Sequence, residues 1–373
     1  EEMYNCLSGR HMKVDLSERY HGAKDAEIEI IDTKAERRKR GMIGNFSRVL
    51  IGHINDALSA GGQVLILRSR RAWATALQCE SCGEIQKCPH CNVSLSFHKS
   101  AGQQKCHYCG KTIVHTGSCC RCGGSLTPLG SGTQKIEEEA KRLFPTARIL
   151  RMDLDTTLTK HSHEQILEAF GKGEADILIG TQMIAKGHDY PNVTLVGIMA
   201  ADLSLNIDSY TAAETGFRLM IQAAGRAGRR DDRGRVYIQT YQPEHYAIKH
   251  AANQDYQGFF AEEILMRQMM GQPPFSSFFS ILVSGEEKET TETSGQKLAA
   301  EIAKADGEGI AMILGPVPAA LPKFRGEYRY QLIIKAAEEN ALRELVLPVV
   351  EKQKKGRKFN VKYQLALNPT NIV

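Results

Sequence analysis

The stretch CESCGEIQKCPHCNVSLSFHKSAGQQKCHYCGKTIVHTGSCCRC, Cys79–Cys122, holds four Cys-x-x-Cys pairs within 44 residues. They are Cys79/Cys82, Cys88/Cys91, Cys106/Cys109 and Cys119/Cys122. Two thiolates so spaced reach one metal from a single tight knuckle, and two knuckles complete a tetrahedral sulfur shell. Four knuckles therefore predict two closed Zn²⁺ sites. Five residues separate the first and second pairs, fourteen the second and third, and nine the third and fourth. Fourteen suits a ribbon that folds pair two onto pair three, which brings pairs one and four together. Site one is then Cys79, Cys82, Cys119 and Cys122, and site two is Cys88, Cys91, Cys106 and Cys109. Serial pairing is the alternative, and it asks five residues to turn the chain between knuckles. A disulfide scaffold fits less well, because 373 residues can bury a core without staples. Cys120 would leave one residue between ligands if paired with Cys122, so Cys119 and Cys122 are kept. Cys6 reads as a small hydrophobe. With both shells filled by sulfur, His90, His98, His107 and His115 are expected at the surface or behind the ligands.

Outward from the cysteines the chain reads as one α/β domain that they interrupt. Residues 45–60 space apolar positions at three and four, as an amphipathic helix does, and Gly61-Gly62 ends it. Val64–Leu67 is a buried strand. Beyond the insertion, Thr133 is expected to cap a helix whose first turn carries Glu137, Glu138 and Glu139. Strands at 148–152, 176–179, 193–200 and 235–240 then alternate with helices at 163–170 and 211–224, a parallel-sheet pattern. Residues 242–275 read as a helical linker closed by Pro273-Pro274. The last hundred residues follow βαββαβ order, predicting a small split-βαβ α+β domain. In residues 1–33, MKVDL and EIEIID alternate as strands do, without forming a complete unit.

Composition is that of a soluble protein, with 24% charged and 42% hydrophobic residues, and no apolar run reaches the length of a membrane helix. Formal net charge is +5, and eight thiolates with two Zn²⁺ bring it to about +1. Global charge thus gives no argument for nucleic acid. Local basic clusters occur at Lys34–Arg40, at Arg68, Arg70 and Arg71, and at Arg226–Arg235.

Two further segments bear on chemistry: GTQMIAKGHDYPNVTLV, Gly180–Val196, and QAAGRAGRR, Gln222–Arg230. The second spaces Arg226 and Arg229 three apart among glycines. Such guanidinium forks suit a phosphate under transfer, where negative charge spreads over its oxygens. The first segment resembles motif V, and the second motif VI, of superfamily-two helicases. A four-knuckle insertion upstream of both, together with RMDLDTT (Arg151–Thr157), AADLSLNIDSYTAAE (Ala200–Glu214), IQTYQPEHYAI (Ile238–Ile248) and PPF (Pro273–Phe275), resembles the PriA family of bacterial primosomal replication-restart DNA helicases.

The resemblance implies a RecA-like helicase lobe with an inserted double zinc module and a C-terminal α+β domain. The expected boundaries are 1–33 for the tail of a first lobe, 34–71 and 129–241 for the second lobe, and 72–128 for the zinc insertion. The linker would span 242–275 and the C-terminal DNA-binding domain 276–373. It further implies an ATP-dependent 3′-to-5′ helicase of replication restart, working at stalled or branched forks. Arg226 and Arg229 would reach the ATP γ-phosphate, Gln222 would line the same cleft, Gly187 and Asp189 would couple nucleotide to DNA, and Thr181 would touch the DNA backbone. The implied cofactors are two Zn²⁺, and ATP with Mg²⁺ in the full-length protein. The implied partners are single-stranded and branched DNA, single-stranded-DNA-binding protein and primosomal accessory proteins, in the bacterial cytoplasm at the nucleoid, with no membrane.

The chain also departs from the family. The phosphate-cradling G-x-x-x-x-G-K-[ST] loop and the acidic magnesium motif are not among the 373 residues, and Gly130–Thr133 lacks the lysine. The chain is therefore expected to be inactive alone. The tail Asn368–Val373 lacks the expected acidic residues. The alternative reading is a zinc-ribbon module that docks DNA forks and proteins without catalysis.

Overall fold

The computed structural model describes residues 1–15, 25–68, 76–89, 94–98, 102–106, 109–114, 116–128, 133–153, 162–185, 190–206, 209–228, 234–355 and 361–370. Cys91, Gly187, Asp189 and Arg229 lie outside them, as do His90, His107, His115, Arg70 and Arg71.

The chain begins with α1 (Glu2–Leu7), β1 (Glu27–Asp32), α2 (Thr33–Arg38), β2 (Met42–Ile43), β3 (Phe46–Ser47), α3 (Arg48–Ser59) and β4 (Gln63–Arg68). Ser47 caps α3 by accepting from the Leu50 amide at 3.1 Å, and Gly61, at φ +76°, releases the chain afterwards. The cysteine module supplies five short strands: β5 (Leu77–Cys79), β6 (Ser96–His98), β7 (Gln103–Lys105), β8 (Thr112–Val114) and β9 (Leu126–Pro128). The α/β pattern then resumes with α4 (Thr133–Leu143), β10 (Ile149–Met152), α5 (Ser162–Gly171), β11 (Ile177–Gly180), β12 (Val193–Met199), α6 (Asp202–Leu205), α7 (Ala212–Ala224) and β13 (Arg235–Thr240).

β4 joins β10–β13 and β1 in one six-stranded parallel sheet, ordered β1-β13-β12-β4-β11-β10. The module is thus an insertion between β4 and the strands that flank it in space. Alternate residues of the central strands face opposite layers. Leu65, Leu67, Leu178, Val196 and Ile198 pack with Leu167, Phe217 and Met220 on one face. Val64, Ile66, Ile177, Ile179 and Leu195 pack with Leu50, Ile54, Ile136 and Phe144 on the other. Burial of both faces is why these strands are continuous apolar runs.

Three expectations change. First, β1 is not the tail of another lobe: Glu27–Asp32 pairs with Arg235–Thr240 over six residues and forms an edge of this sheet. MKVDL, by contrast, contributes no strand among its described residues. Second, Thr133 is the first described residue of α4, and its Oγ1 donates to Asp153 Oδ2 at 2.5 Å rather than capping the helix, with Glu137–Glu139 beyond the first turn. Glu139 is buried instead, accepting from the Asn45 amide at 2.8 Å. Third, residues 242–275 are helical as expected, but they pack into the sheet domain rather than link it to the next. They form α8 (Tyr246–Ala252) and α9 (Tyr256–Met269), whose Ala247, Ile248, Ala251 and Phe259 belong to the sheet's own core. Phe259 stacks on Phe217 of α7 with centroids 4.1 Å apart.

The remainder comprises β14 (Ser277–Gly285), α10 (Lys288–Ala305), β15 (Ala311–Phe324), β16 (Glu327–Ala336), α11 (Glu339–Lys355) and β17 (Lys362–Leu367). Their sheet is antiparallel, ordered β15-β16-β14-β17, with α10 and α11 closing a separate core around Ile281, Leu298, Leu332 and Val346. This is the βαββαβ sandwich read from the sequence. Tyr210 meets Phe278 edge-on at 5.7 Å, and Ser209 Oγ donates to the Thr370 carbonyl at 2.6 Å, docking this domain on the first.

Candidate metal centres and motor face

Each described knuckle is built by its backbone. The Gly83 amide bonds the Cys79 carbonyl, Gly110 that of Cys106, and Gly123 that of Cys119, each at 2.9 Å. All three glycines have φ between +72° and +74°, a region that side chains disfavour. The glycine that follows each of these Cys-x-x-Cys pairs is the sequence signal for this turn. β5 and β9 pair to bring the outer knuckles side by side, and the three-stranded β6-β7-β8 sheet does the same for the inner ones.

The sulfurs gather in nested order. Those of Cys79, Cys82, Cys119 and Cys122 all lie within 4.8 Å of one another, as do those of Cys88, Cys106 and Cys109. Nearest pairs are Cys79–Cys122 at 3.5 Å, Cys82–Cys119 at 3.7 Å and Cys88–Cys109 at 3.7 Å. These separations are far beyond a disulfide bond. A tetrahedron with Zn–S bonds of 2.3 Å has edges of about 3.8 Å. The donor set therefore fits zinc. Burial pushes the Cys82 thiol up to about 12, while at Cys79 burial is offset by the Cys82 and Ser81 amides together with the Cys122 and Cys82 thiols, which hold it at about 7. Thiolates gathered this closely repel one another unless a cation sits among them. The apolar core beside the second cluster is small: Leu95 and Ile113 with the cysteines themselves. Cys120 is exposed and Cys6 half-buried; neither belongs to a cluster.

The second candidate site lies on the sheet domain. Gly180 ends β11, where an added Cβ would stand 2.8 Å from both Ile184 Cγ2 and the Met152 carbonyl oxygen. Glycine therefore lets the following segment turn tightly. Thr181 opens that turn, its carbonyl accepting from the Ile184 amide at 3.1 Å, with its side chain half-buried. Arg226 reaches the same turn from beyond α7: its Nε donates to the Ala185 carbonyl at 2.9 Å. Gly228, at φ +67°, donates its amide to Val193 at 3.1 Å. Tyr190 is buried nearby, its hydroxyl pushed up to about 12 by burial against the opposing pull of Arg226. The two motif segments, some forty residues apart, are thus joined by a side-chain bond to a carbonyl and by a backbone bond. Gln222, in the last turn of α7 and four residues before Arg226, lines a cavity of about 270 Å³ with Phe217, Tyr256 and Arg267. Arg68, read as part of a basic surface cluster, is buried; burial holds its guanidinium down at about 10 against the pull of Glu139 and Asp202.

Comparison with known proteins follows the same division. Residues 88–113 match the PriA DNA helicase Cys-rich region domain, residues 131–231 the helicase conserved C-terminal domain, and residues 268–370 the primosomal protein N C-terminal domain. The chain is 37% identical over 373 residues to the replication restart protein PriA of Bacillus subtilis, covering 99% of this chain and 46% of that protein. It is 38% identical over 340 residues to the PriA of Chlamydia pneumoniae, covering 90% of this chain and 45% of that protein. The chain therefore spans about half the length of the curated relatives it matches. Among solved structures, RecG bound to a three-way DNA junction is 11% identical, covering 68% of this chain and 26% of that one, with a TM-score of 0.32. With a helicase lobe, a cysteine-rich insertion and a C-terminal domain matched in this order, the chain belongs to the PriA family of replication restart helicases.

Proposed function

We propose that this chain supplies the second motor lobe, the zinc module and the C-terminal domain of an ATP-dependent 3′-to-5′ DNA helicase that restarts replication at stalled or branched forks. The observation that supports it most directly is the bond from Arg226 Nε to the Ala185 carbonyl. It fixes a half-buried guanidinium beside the Gly180–Ala185 turn, where a first lobe could present a nucleotide. In this reading Arg226 and Arg229 stabilise charge on the γ-phosphate, and Gln222 borders the same cleft. Gly187 and Asp189 couple nucleotide to DNA, and Thr181 contacts the DNA backbone. No residue of the 373 forms a Walker loop, so ATP and Mg²⁺ would be cradled by a first lobe.

Cys79, Cys82, Cys119 and Cys122 hold one Zn²⁺ in this proposal, and Cys88, Cys91, Cys106 and Cys109 the other. Both are closed structural sites that supply folding energy and no open position for chemistry. The zinc module separates strands and docks partners, and the C-terminal domain helps recognise branched DNA. Single-stranded-DNA-binding protein and primosomal accessory proteins are the proposed protein partners, in the bacterial cytoplasm at the nucleoid. Among the described residues, no helix is long and apolar enough to cross a membrane.

The test is Arg226→Ala in a protein that also carries a first lobe. DNA-stimulated ATP turnover should fall by about a thousandfold or more, the scale of an arginine finger. Affinity for a single-stranded oligonucleotide should stay within about twofold, since the guanidinium is assigned to nucleotide rather than DNA. Loss of DNA affinity with turnover retained would reassign the arginine.

A further inference from the structure

A cleft of about 500 Å³ opens between the zinc ribbon and the C-terminal domain. β7 contributes Lys105; the C-terminal domain contributes Lys288, Lys323, Tyr328, Arg329 and Tyr330. The lining holds four cations and no carboxylate. Among the described residues, none of these four cations is in a salt bridge. The nearby acids are already engaged: Glu292 accepts from Tyr330 Oη at 2.7 Å, and Glu327 pairs with Lys362 Nζ at 2.5 Å. Lys323 Nζ sits 4.6 Å from the centre of the Tyr328 ring, so charge and aromatic face are presented together. Beside them the turn of the β15–β16 hairpin leaves Phe324 exposed between Arg325 and Arg329, at 5.2 and 5.8 Å from its ring.

The walls are held in register. A Cβ on Gly110, which closes the Cys106/Cys109 knuckle, would stand 2.6 Å from Val317 Cγ1 of β15. The second metal centre is therefore packed directly against the strand that forms the opposite wall.

We propose that this cleft binds one phosphate-linked nucleotide unit of a DNA single strand, with the phosphate on Lys105, Lys288, Lys323 and Arg329 and the base against Tyr328. Unpaired cations without competing carboxylates favour a polyanion, and an aromatic ring beside them favours a base over a bare phosphate. The cleft lies within the size range of small-ligand sites. The proposal deepens the helicase reading and rests on it for the choice of DNA.

The experiment is fluorescence anisotropy of a labelled oligothymidylate with the zinc-loaded chain. It compares the unaltered protein with Lys323→Ala/Arg329→Ala, Tyr328→Ala and Tyr328→Phe. The double variant should bind about tenfold more weakly at low salt, and its log–log salt slope should flatten by up to about 0.7, for the one phosphate the cleft holds. Tyr328→Ala should lose about fivefold or more, with Tyr328→Phe near the unaltered value. An oligonucleotide carrying 4-thiothymidine should crosslink to Tyr328. Zinc content and circular dichroism verify that the variants are folded. Unchanged affinity in folded variants overturns the cleft and leaves DNA binding elsewhere on the chain standing. Absence of binding by the unaltered chain overturns the cleft and the DNA-binding reading of this half together. Binding of an acidic peptide in place of the oligonucleotide assigns the cleft to a protein partner and overturns the proposal.

Discussion

A methyl group added at Gly83 would stand 2.3 Å from Tyr241 Cβ, at the end of β13. The same addition at Gly123 would meet nothing within 4 Å. Both glycines close a Cys-x-x-Cys knuckle at nearly the same φ, +74° and +72°. Alanine at either position carries the left-handed backbone penalty, and only Gly83→Ala also pushes the first metal centre off the sheet domain. Gly83→Ala is expected to cost about 1–3 kcal/mol more than Gly123→Ala. Thermal unfolding and limited proteolysis at the module would measure it; equal losses would show that the Gly83–Tyr241 contact does not hold the module. The residue type was readable in the sequence, but its crowding was not, because Tyr241 lies 158 positions downstream.

Element by element, legibility follows burial. β4 and β11 are buried on both faces, so their apolar runs identified them without ambiguity. β1 alternates exposed and half-buried residues from Glu27 to Ile30 and then buries Ile31, which marks a strand but names no partner. Its partner β13 begins 208 residues later, and nothing local encodes that pairing. Helix α9 was legible as a helix, but its packing on the sheet domain was not. Its described buried residues are Phe259, Glu263 and Arg267, and the last two are satisfied by an ion pair of 2.7 Å, so the buried face does not read as apolar. The start of α8 offers a test of its own. His245 Nδ1 accepts from the Ala247 amide at 3.2 Å, and burial, reinforced by Lys87, holds the imidazole down at about 4. Unfolded, it titrates near 6.5. Between these values the unfolded chain takes up a proton that the folded one refuses. The contribution is therefore fully present above about 6.5 and is lost as pH falls through about 4. An NMR titration of the His245 ring should show this depressed midpoint. A midpoint near 6.5 would mean that the cap and the burial are not formed.

Over the whole molecule, the zinc module is the piece that ties the others together. Gly83 packs on Tyr241 of the sheet domain, and Gly110 packs on Val317 of the C-terminal domain. Between them the module has only a small apolar core, so metal rather than hydrophobic burial must hold its shape. Metal analysis of the intact chain should give two zinc ions, and Cys82→Ser should leave one. In that variant, hydrogen exchange should rise in the module and stay slow in β4, β11 and β12, whose core is separate. Protection lost throughout the sheet would contradict that independence. The sheet domain, for its part, offers Arg226 at a turn beside its own strands, and nothing in the 373 residues can cradle a β-phosphate. The decisive measurement is DNA-stimulated ATP turnover by the pure chain, before and after fusion to a first lobe that carries a Walker lysine. No turnover alone and clear turnover after fusion is the expected result. Turnover by the chain alone would contradict the assignment of this lobe as half of a shared nucleotide site.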